Sequence, residues 1–368
     1  MIHLSKIFLA LLYLSSNLSF ASDVAESEEI KTRFKTALTA YDSHKYVIPD
    51  PEIKIIAKEL FDAGTDYYAK DDANLGLLAY YYAKALNHDR LNLDSIPFLE
   101  HSIKIYKGTD EPSKPLLINS IVELAKVKYK LIRKKSKSKI LFNEALTLAK
   151  ETNDEMQLAK TQLEIGKTYL SYNFLDKRTA KKARRNIESA YQTFKKNDAP
   201  KQIEAAFWAG KANRLLKQSE TAAEYFEITI KKASDNSTEQ QYSEVSHAFL
   251  VDVYSKLGDD DKATEHCQAI GKNQIWNNNA QPKPLYIMQP KYPRRAALKG
   301  KGGYVTMEFV IDPNGFTKEI TIIKESNKKY GFADAASKVL GKWRFAPKFE
   351  NGIPVDATVR YTMEFKMM

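Results

Sequence analysis

The chain has 368 residues, 43% hydrophobic and 28% charged, which is enough for two domains with buried cores and excludes both long disorder and a polytopic membrane protein. Its formal net charge is +11, and residues 282–368 carry 16 basic and eight acidic side chains, so +8 of that excess belongs to the last 87 residues. A balance of this kind suits nucleic acid, an anionic envelope surface or acidic partners.

Lys6 precedes an apolar stretch at 7–20 that ends in Ser19-Phe20-Ala21 and turns acidic at Asp23. This is the layout of a signal peptide over 1–21, with cleavage after Ala21 and a mature chain beginning at Ser22. Fourteen residues of helix span about 21 Å against a hydrocarbon core of about 30 Å, so export is the expectation and an uncleaved membrane anchor the alternative. An exported chain does not meet DNA or RNA, and no nucleic-acid partner is expected. Cys267 is the only cysteine, which excludes an intramolecular disulfide; His266 beside it has no further ligand at helical spacing, so a buried core thiol is expected and no metal site. No Gly-rich phosphate loop, HExxH or GxSxG occurs, and the chain reads as a non-enzyme with no catalytic residues and no cofactor.

Residues 30–271 are rich in Ala, Leu, Lys, Glu and Tyr, with apolar positions three and four apart, the pattern of helix after helix. A spacing recurs within them: a small residue, an aromatic at +3, a small residue at +9, a large apolar residue at +4 and a small one at +3. Gly64, Tyr67, Gly76, Tyr80 and Ala83 fit it throughout. Tyr129, Ser138, Phe142 and Ala145 fit most of it, as do Tyr254, Ala263, Cys267 and Ile270; Gly210, Ala222 and Phe226 fit part. Gly166 and Tyr169 open another copy, completed after an insertion by Ala183, Ile187 and Ala190. The spacing resembles the tetratricopeptide repeat (TPR), which implies stacked antiparallel helix pairs and a concave surface able to hold a peptide or protein. Residues 87–115 show no clear copy.

Two prolines and Asn277-Asn278-Asn279 break the pattern, placing a linker at 272–284 and a separate domain at 285–368. There the period becomes two. Val305, Met307, Phe309 and Ile311 alternate with polar neighbours, Asp312-Pro313-Asn314-Gly315 supplies a turn, and a second strand follows from Phe316. Phe332, Ala335, Ala336, Val339 and Leu340 form one apolar helical face, and Ala357, Val359, Tyr361, Met363 and Phe365 define a last, half-buried strand. The expected architecture is therefore multidomain: an all-α helical repeat array followed by a small α+β domain of ββαβ order.

Five motifs stand in order in that domain: Gln289-Pro290-Lys291-Tyr292-Pro293-Arg294-Arg295-Ala296, Gly302-Gly303-Tyr304-Val305, Asp312-Pro313-Asn314-Gly315, Lys342-Trp343-Arg344-Phe345-Ala346-Pro347 and Asn351-Gly352-Ile353-Pro354-Val355. Together they resemble the C-terminal domain of TonB. The resemblance implies a periplasmic protein that binds TonB-dependent outer-membrane receptors, whose TonB-box peptide adds to the last strand, here Ala357, Val359, Arg360, Tyr361, Met363 and Phe365. It also implies a contact beside that strand at Gln289, Pro290, Tyr292 and Pro293, with Gln289 the specificity candidate; Arg294, Arg295 and Lys299 are candidates for attracting acidic receptor residues or the charged membrane surface. Two parts of the family pattern are missing: the Ser/His face of a membrane anchor, since His3 and Ser5 precede the apolar stretch, and the Pro-rich spacer, since only six of the 13 prolines precede Pro282. Receptor binding with help in coupling inner-membrane energy to transport is thus the first reading, the array recruiting the proton-driven motor or another TonB. A structural envelope scaffold or homodimerisation module without energy transduction is the alternative, and an inner-membrane anchor facing the periplasm the alternative location.

Overall fold

A computed structural model describes residues 24–44, 52–109, 114–132, 135–171, 176–234, 237–273 and 283–366; the expected signal peptide and most of the expected linker lie outside them. The chain divides into two compact units, Met1–Thr161 and Gln162–Met368.

The described part of the first unit is helical. Helices α1 (Val24–His44), α2 (Ile53–Tyr67), α3 (Ala73–Leu86), α4 (Ile96–Lys107), α5 (Lys114–Val127) and α6 (Lys135–Glu151) each pack on the next. Close approach needs small residues at the crossings. Gly64 of α2 faces Leu78 of α3 across a gap with no room for a Cβ, and Gly76 of α3 lies against Ile105 and Tyr106 of α4. Phe34 stacks on Tyr67 at 5.1 Å between α1 and α2, and Phe142 and Ala145 of α6 are fully buried. The segment without a recognisable repeat nonetheless folds as α4. Asn92 accepts a hydrogen bond from the Asp94 N–H at 3.0 Å, Pro97 sits in the first turn, and the hydroxyls of Ser102 and Ser120 meet at 2.9 Å between α4 and α5. A buried pair of small hydroxyl residues does there what glycine does elsewhere.

The second unit begins within α7 (Glu155–Leu170) and continues with α8 (Lys177–Lys196), α9 (Lys201–Leu215), α10 (Ser219–Lys232), α11 (Ser237–Leu257) and α12 (Asp260–Asn273). The spacing seen in the sequence maps onto helix pairs: Gly166 of α7 receives Ile187 of α8, and Gly210 of α9 receives the ring of Phe226 of α10. Ala183, Ile187, Ala190, Ala222, Phe226, Ala263 and Cys267 are all 0% exposed. Ile270, the last member of its copy, is only half-buried.

The sheet domain follows in the same unit. Strands β2 (Gly303–Ile311), β3 (Thr317–Glu325) and β7 (Ala357–Phe365) form an antiparallel sheet in the order β3-β2-β7. Val305, Met307, Phe309 and Ile311 point to one face, where they meet Phe332, Ala336, Val339 and Leu340 of α14 (Phe332–Leu340), with Trp343 and Phe345 completing the core. The turn is locked because Asp312 Oδ1 accepts from the N–H groups of Asn314 and Phe316, at 2.9 and 2.8 Å. Four short strands add to the expected ββαβ plan: β1 (Pro284–Tyr286) pairs with β4 (Arg344–Phe345), and β5 (Lys348–Glu350) with β6 (Ile353–Val355). Asn351 and Gly352 both have positive φ, 52° and 79°, as a two-residue hairpin turn requires. A short helix α13 (Arg294–Leu298) precedes β2.

The domain is docked on the end of the array. β1 lies against α11, and β5 and β6 against α12. Arg344, 1% exposed, reaches Asp260 at 3.3 Å and Thr264 at 2.6 Å on α12, donates to the Asn314 carbonyl at 3.0 Å, and lies 3.7 Å from the ring of Phe316. The Gln268 amide donates to the Pro313 carbonyl at 3.1 Å, and Gly271 leaves no room for a Cβ beside Pro347.

Two substitutions test these contacts. A leucine at Gly210, where even a Cβ would lie 2.6 Å from the Phe226 ring, lowers stability by about 1–3 kcal/mol in chemical denaturation. Thr264→Val strands a buried guanidinium N–H and costs about 1–3 kcal/mol, read as a loss of amide-exchange protection at Phe316 and Phe345 while α8–α10 stay protected.

Candidate functional site

The two edges of the sheet are built differently. On β3 the register with β2 shifts after Thr306 and again after Glu308, Glu319 has a positive φ of 55°, and most residues are exposed. Bulges and outward charges blunt an edge against further pairing. On β7 the register runs unbroken through nine pairs, from Gly303 opposite Phe365 to Ile311 opposite Ala357, and no other described strand pairs with its outer side. Cross-strand contacts hold it straight on the polar face: Arg360 with Glu308 at 3.1 Å, and the hydroxyls of Thr306 and Thr362 at 3.0 Å.

The candidate residues separate by face. Ala357, Met363 and Phe365 are buried, and Val359 and Tyr361 half-buried against the core, so what they offer a partner is backbone rather than side chain. Tyr361 sits edge-on to Trp343 at 5.4 Å, and burial pushes its hydroxyl pKa up. The Trp343 indole N–H donates to the Met288 carbonyl at 2.9 Å, the Tyr292 hydroxyl donates to the Lys301 carbonyl at 2.9 Å, and the Tyr292 ring meets Phe365 at 5.9 Å. Tyr292 is therefore held against the last residue of β7, and Met288 is tied to it through Trp343. Between Met288 and Tyr292, Gln289 is exposed and Pro290 half-buried; Pro293 precedes α13, on which Arg294 and Arg295 are exposed. The structure thus brings Tyr292 against Phe365, and Met288 and Tyr361 both against Trp343, with Gln289 and Pro290 on the intervening segment, while Ala357 stands at the far end of the strand.

Sequence reasoning missed the junction residues Arg344, Thr264 and Gln268. Arg344 stands in the motif Lys342 to Pro347, but nothing in a linear pattern announces that a guanidinium will be buried against a helix 80 residues earlier. The thiol of Cys267 lies under this junction; burial pushes its pKa up to about 11 despite Arg344, which disfavours the thiolate at neutral pH.

A second polar cluster joins α10, α11 and α12. Glu227 accepts from the Tyr254 hydroxyl and from His266 Nε2, each at 3.1 Å, and His266 Nδ1 meets His247 Nδ1 at 2.9 Å. The hydrogen bond from His266 holds the Glu227 carboxyl below its usual range, while burial and the neighbouring His266 push His247 down to about 4. Among the described residues no group of three His, Cys, Asp or Glu could hold a metal, and no described helix is long and apolar enough to cross a membrane.

His247 makes stability pH-dependent. The unfolded chain binds a proton at the ordinary value of 6.5, the folded one only near 4, so the stability is fully present above pH 6.5 and is lost as pH falls through that window. Thermal melts from pH 7 to 4 should show the decline, and His247→Gln should flatten it.

Comparison with known proteins agrees with this geometry. Residues 288–367 match the family model for the Gram-negative bacterial TonB protein C-terminal. No curated protein matches the chain. Similar solved structures include BtubC from P. vanneervenii, 14% identical over 73% of this chain and 100% of that one with a TM-score of 0.48. A kinesin light chain with TPR-like repeats from Podosopora anserina is 14% identical over 56% and 94%, with a TM-score of 0.41. Aspartyl phosphate phosphatase F from Bacillus subtilis is 15% identical over 70% and 76%, with a TM-score of 0.45. Residues 288–367 are thus a TonB C-terminal domain, carried behind a TPR-like array of helix pairs.

Proposed function

We propose that the protein is a periplasmic adaptor of the TonB system, in which the sheet domain captures the TonB-box peptide of an outer-membrane receptor by strand addition along β7. The supporting observation is the contrast between two edges of equal length: β3 is bulged and charged, β7 regular through all nine of its pairs. Every second residue of an antiparallel edge strand turns its N–H and C=O outward, and each backbone hydrogen bond gained contributes about 0.5–1.5 kcal/mol net. A handful holds a short peptide with modest affinity and little demand on its sequence, as one adaptor with many clients needs. Gln289, exposed on the segment that Tyr292 anchors to Phe365, is then a candidate to read one side chain of the guest. The array recruits the second partner, the inner-membrane motor or another TonB, and through it the chain helps couple inner-membrane energy to transport.

Strand addition predicts that Val359→Pro abolishes binding of a TonB-box peptide while the array keeps its helical circular dichroism. Because proline could also weaken pairing with β2, a second measurement uses the parent protein with peptides N-methylated at single positions. Affinity should fall on the order of tenfold at alternate positions only. Uniform tolerance of N-methylation rejects the mechanism, and a concentration-dependent dimer indifferent to peptide would favour a homodimerisation module instead.

A further inference from the structure

The sheet domain has a second surface, at the pole away from α12. Gly303 stands opposite Phe365 and Val305 opposite Glu325, so the start of β2 and the ends of β3 and β7 share that pole. The hydrogen bond from Tyr292 to Lys301, with the Tyr292 ring against Phe365, brings α13 there too. Among the cations on these segments are Arg294, Arg295 and Lys299 on and after α13, Lys301 before β2, and Lys328 and Lys329 beyond β3. None of these forms an ion pair with a carboxylate among the described residues; Lys329 instead lies 5.2 Å from the ring of Tyr330. The carboxylates nearby are engaged or few. Glu325 accepts from the Ala333 N–H, Glu364 pairs with Lys366 at 2.6 Å, and Asp334 sits in the first turn of α14, where the helix amides favour it. Beside the α13 cations projects Leu298, 77% exposed, the most exposed large apolar side chain among the described residues.

We propose that this pole docks on a bilayer surface bearing anionic phospholipid headgroups, with Leu298 entering the headgroup layer and the flanking Lys and Arg side chains meeting phosphates. The chemistry separates a lipid from a protein partner. Protein interfaces deplete lysine at their centres and bury several apolar anchors together. Here lysine and arginine surround a single leucine, the arrangement of a peripheral membrane contact, where long basic side chains keep their charge at the headgroups while one apolar group enters. The inference does not depend on strand addition. It leaves α12 and its junction clear of the membrane, since they hold the opposite pole.

Vesicle co-sedimentation tests it, using the chain from Ser22 onward, which keeps every described residue and omits the apolar stretch at 7–20. Vesicles of phosphatidylcholine alone are compared with vesicles in which about a third of the lipid is phosphatidylglycerol. Binding should require the anionic lipid and fall steeply as salt is raised from about 0.05 to 0.3 M. It should drop about tenfold both in Leu298→Glu and in the double variant Lys328→Glu, Lys329→Glu. Both changes are at exposed positions, and circular dichroism confirms folding. No sedimentation, equal sedimentation with neutral vesicles, or a Leu298→Glu variant that binds like the parent overturns the proposal. So does a Leu298→Glu variant that loses heparin and anionic vesicles to the same extent, which would make the pole a general polyanion site.

Discussion

A buried guanidinium holds the sheet domain to its array. Stripping water from a charge costs several kcal/mol, and the cost is met only where the group finds partners on every side. Arg344 finds most of them in two elements at once, Asp260 and Thr264 on α12 and the Asn314 carbonyl and Phe316 ring on its own domain, leaving only its Nε without a hydrogen-bond partner. Separating the two would leave the charge half-satisfied. The placement of β7 within the second unit, and of the cationic pole away from α12, both follow from that attachment.

The array below it relies on a simpler constraint. Two helices approach closely only if one surrenders a side chain where the other inserts one, and Gly64, Gly166 and Gly210 surrender theirs to Leu78, Ile187 and Phe226. Each pair leaves apolar surface for the next, so hydrophobic clusters recur along both units.

This constraint is why much of the fold could be read in advance. A glycine followed at fixed distances by alanine and a large apolar residue records a three-dimensional crossing in one dimension, and the alternation of Val305 to Ile311 records a half-buried strand in the same way. Helix α4 was not legible as a repeat because its crossing joins two small residues, Ser102 and Ser120, through their hydroxyls and not a small residue to a large apolar one at the pattern's spacing. Strands of two or three residues, such as β1 and β4, are too short to show a period. The candidate edge was legible as a strand, but its fitness as an edge was not, since the shifts that blunt β3 depend on which residues face each other. The junction was invisible for a related reason: it joins Arg344 to Thr264 through side chains that carry no repeat and no alternation.

The position of Cys267 gives the junction a second effect. In an oxidising compartment a solitary thiol with no partner in its own chain is a standing invitation to cross-link with another molecule. Cys267 is 0% exposed, with the turn at Gly315 lying over it and Arg344 beside it. The contact that orients the sheet domain therefore also acts as a chemical lid, and reaction of this thiol with a small alkylating reagent becomes a clock for how often the two parts separate.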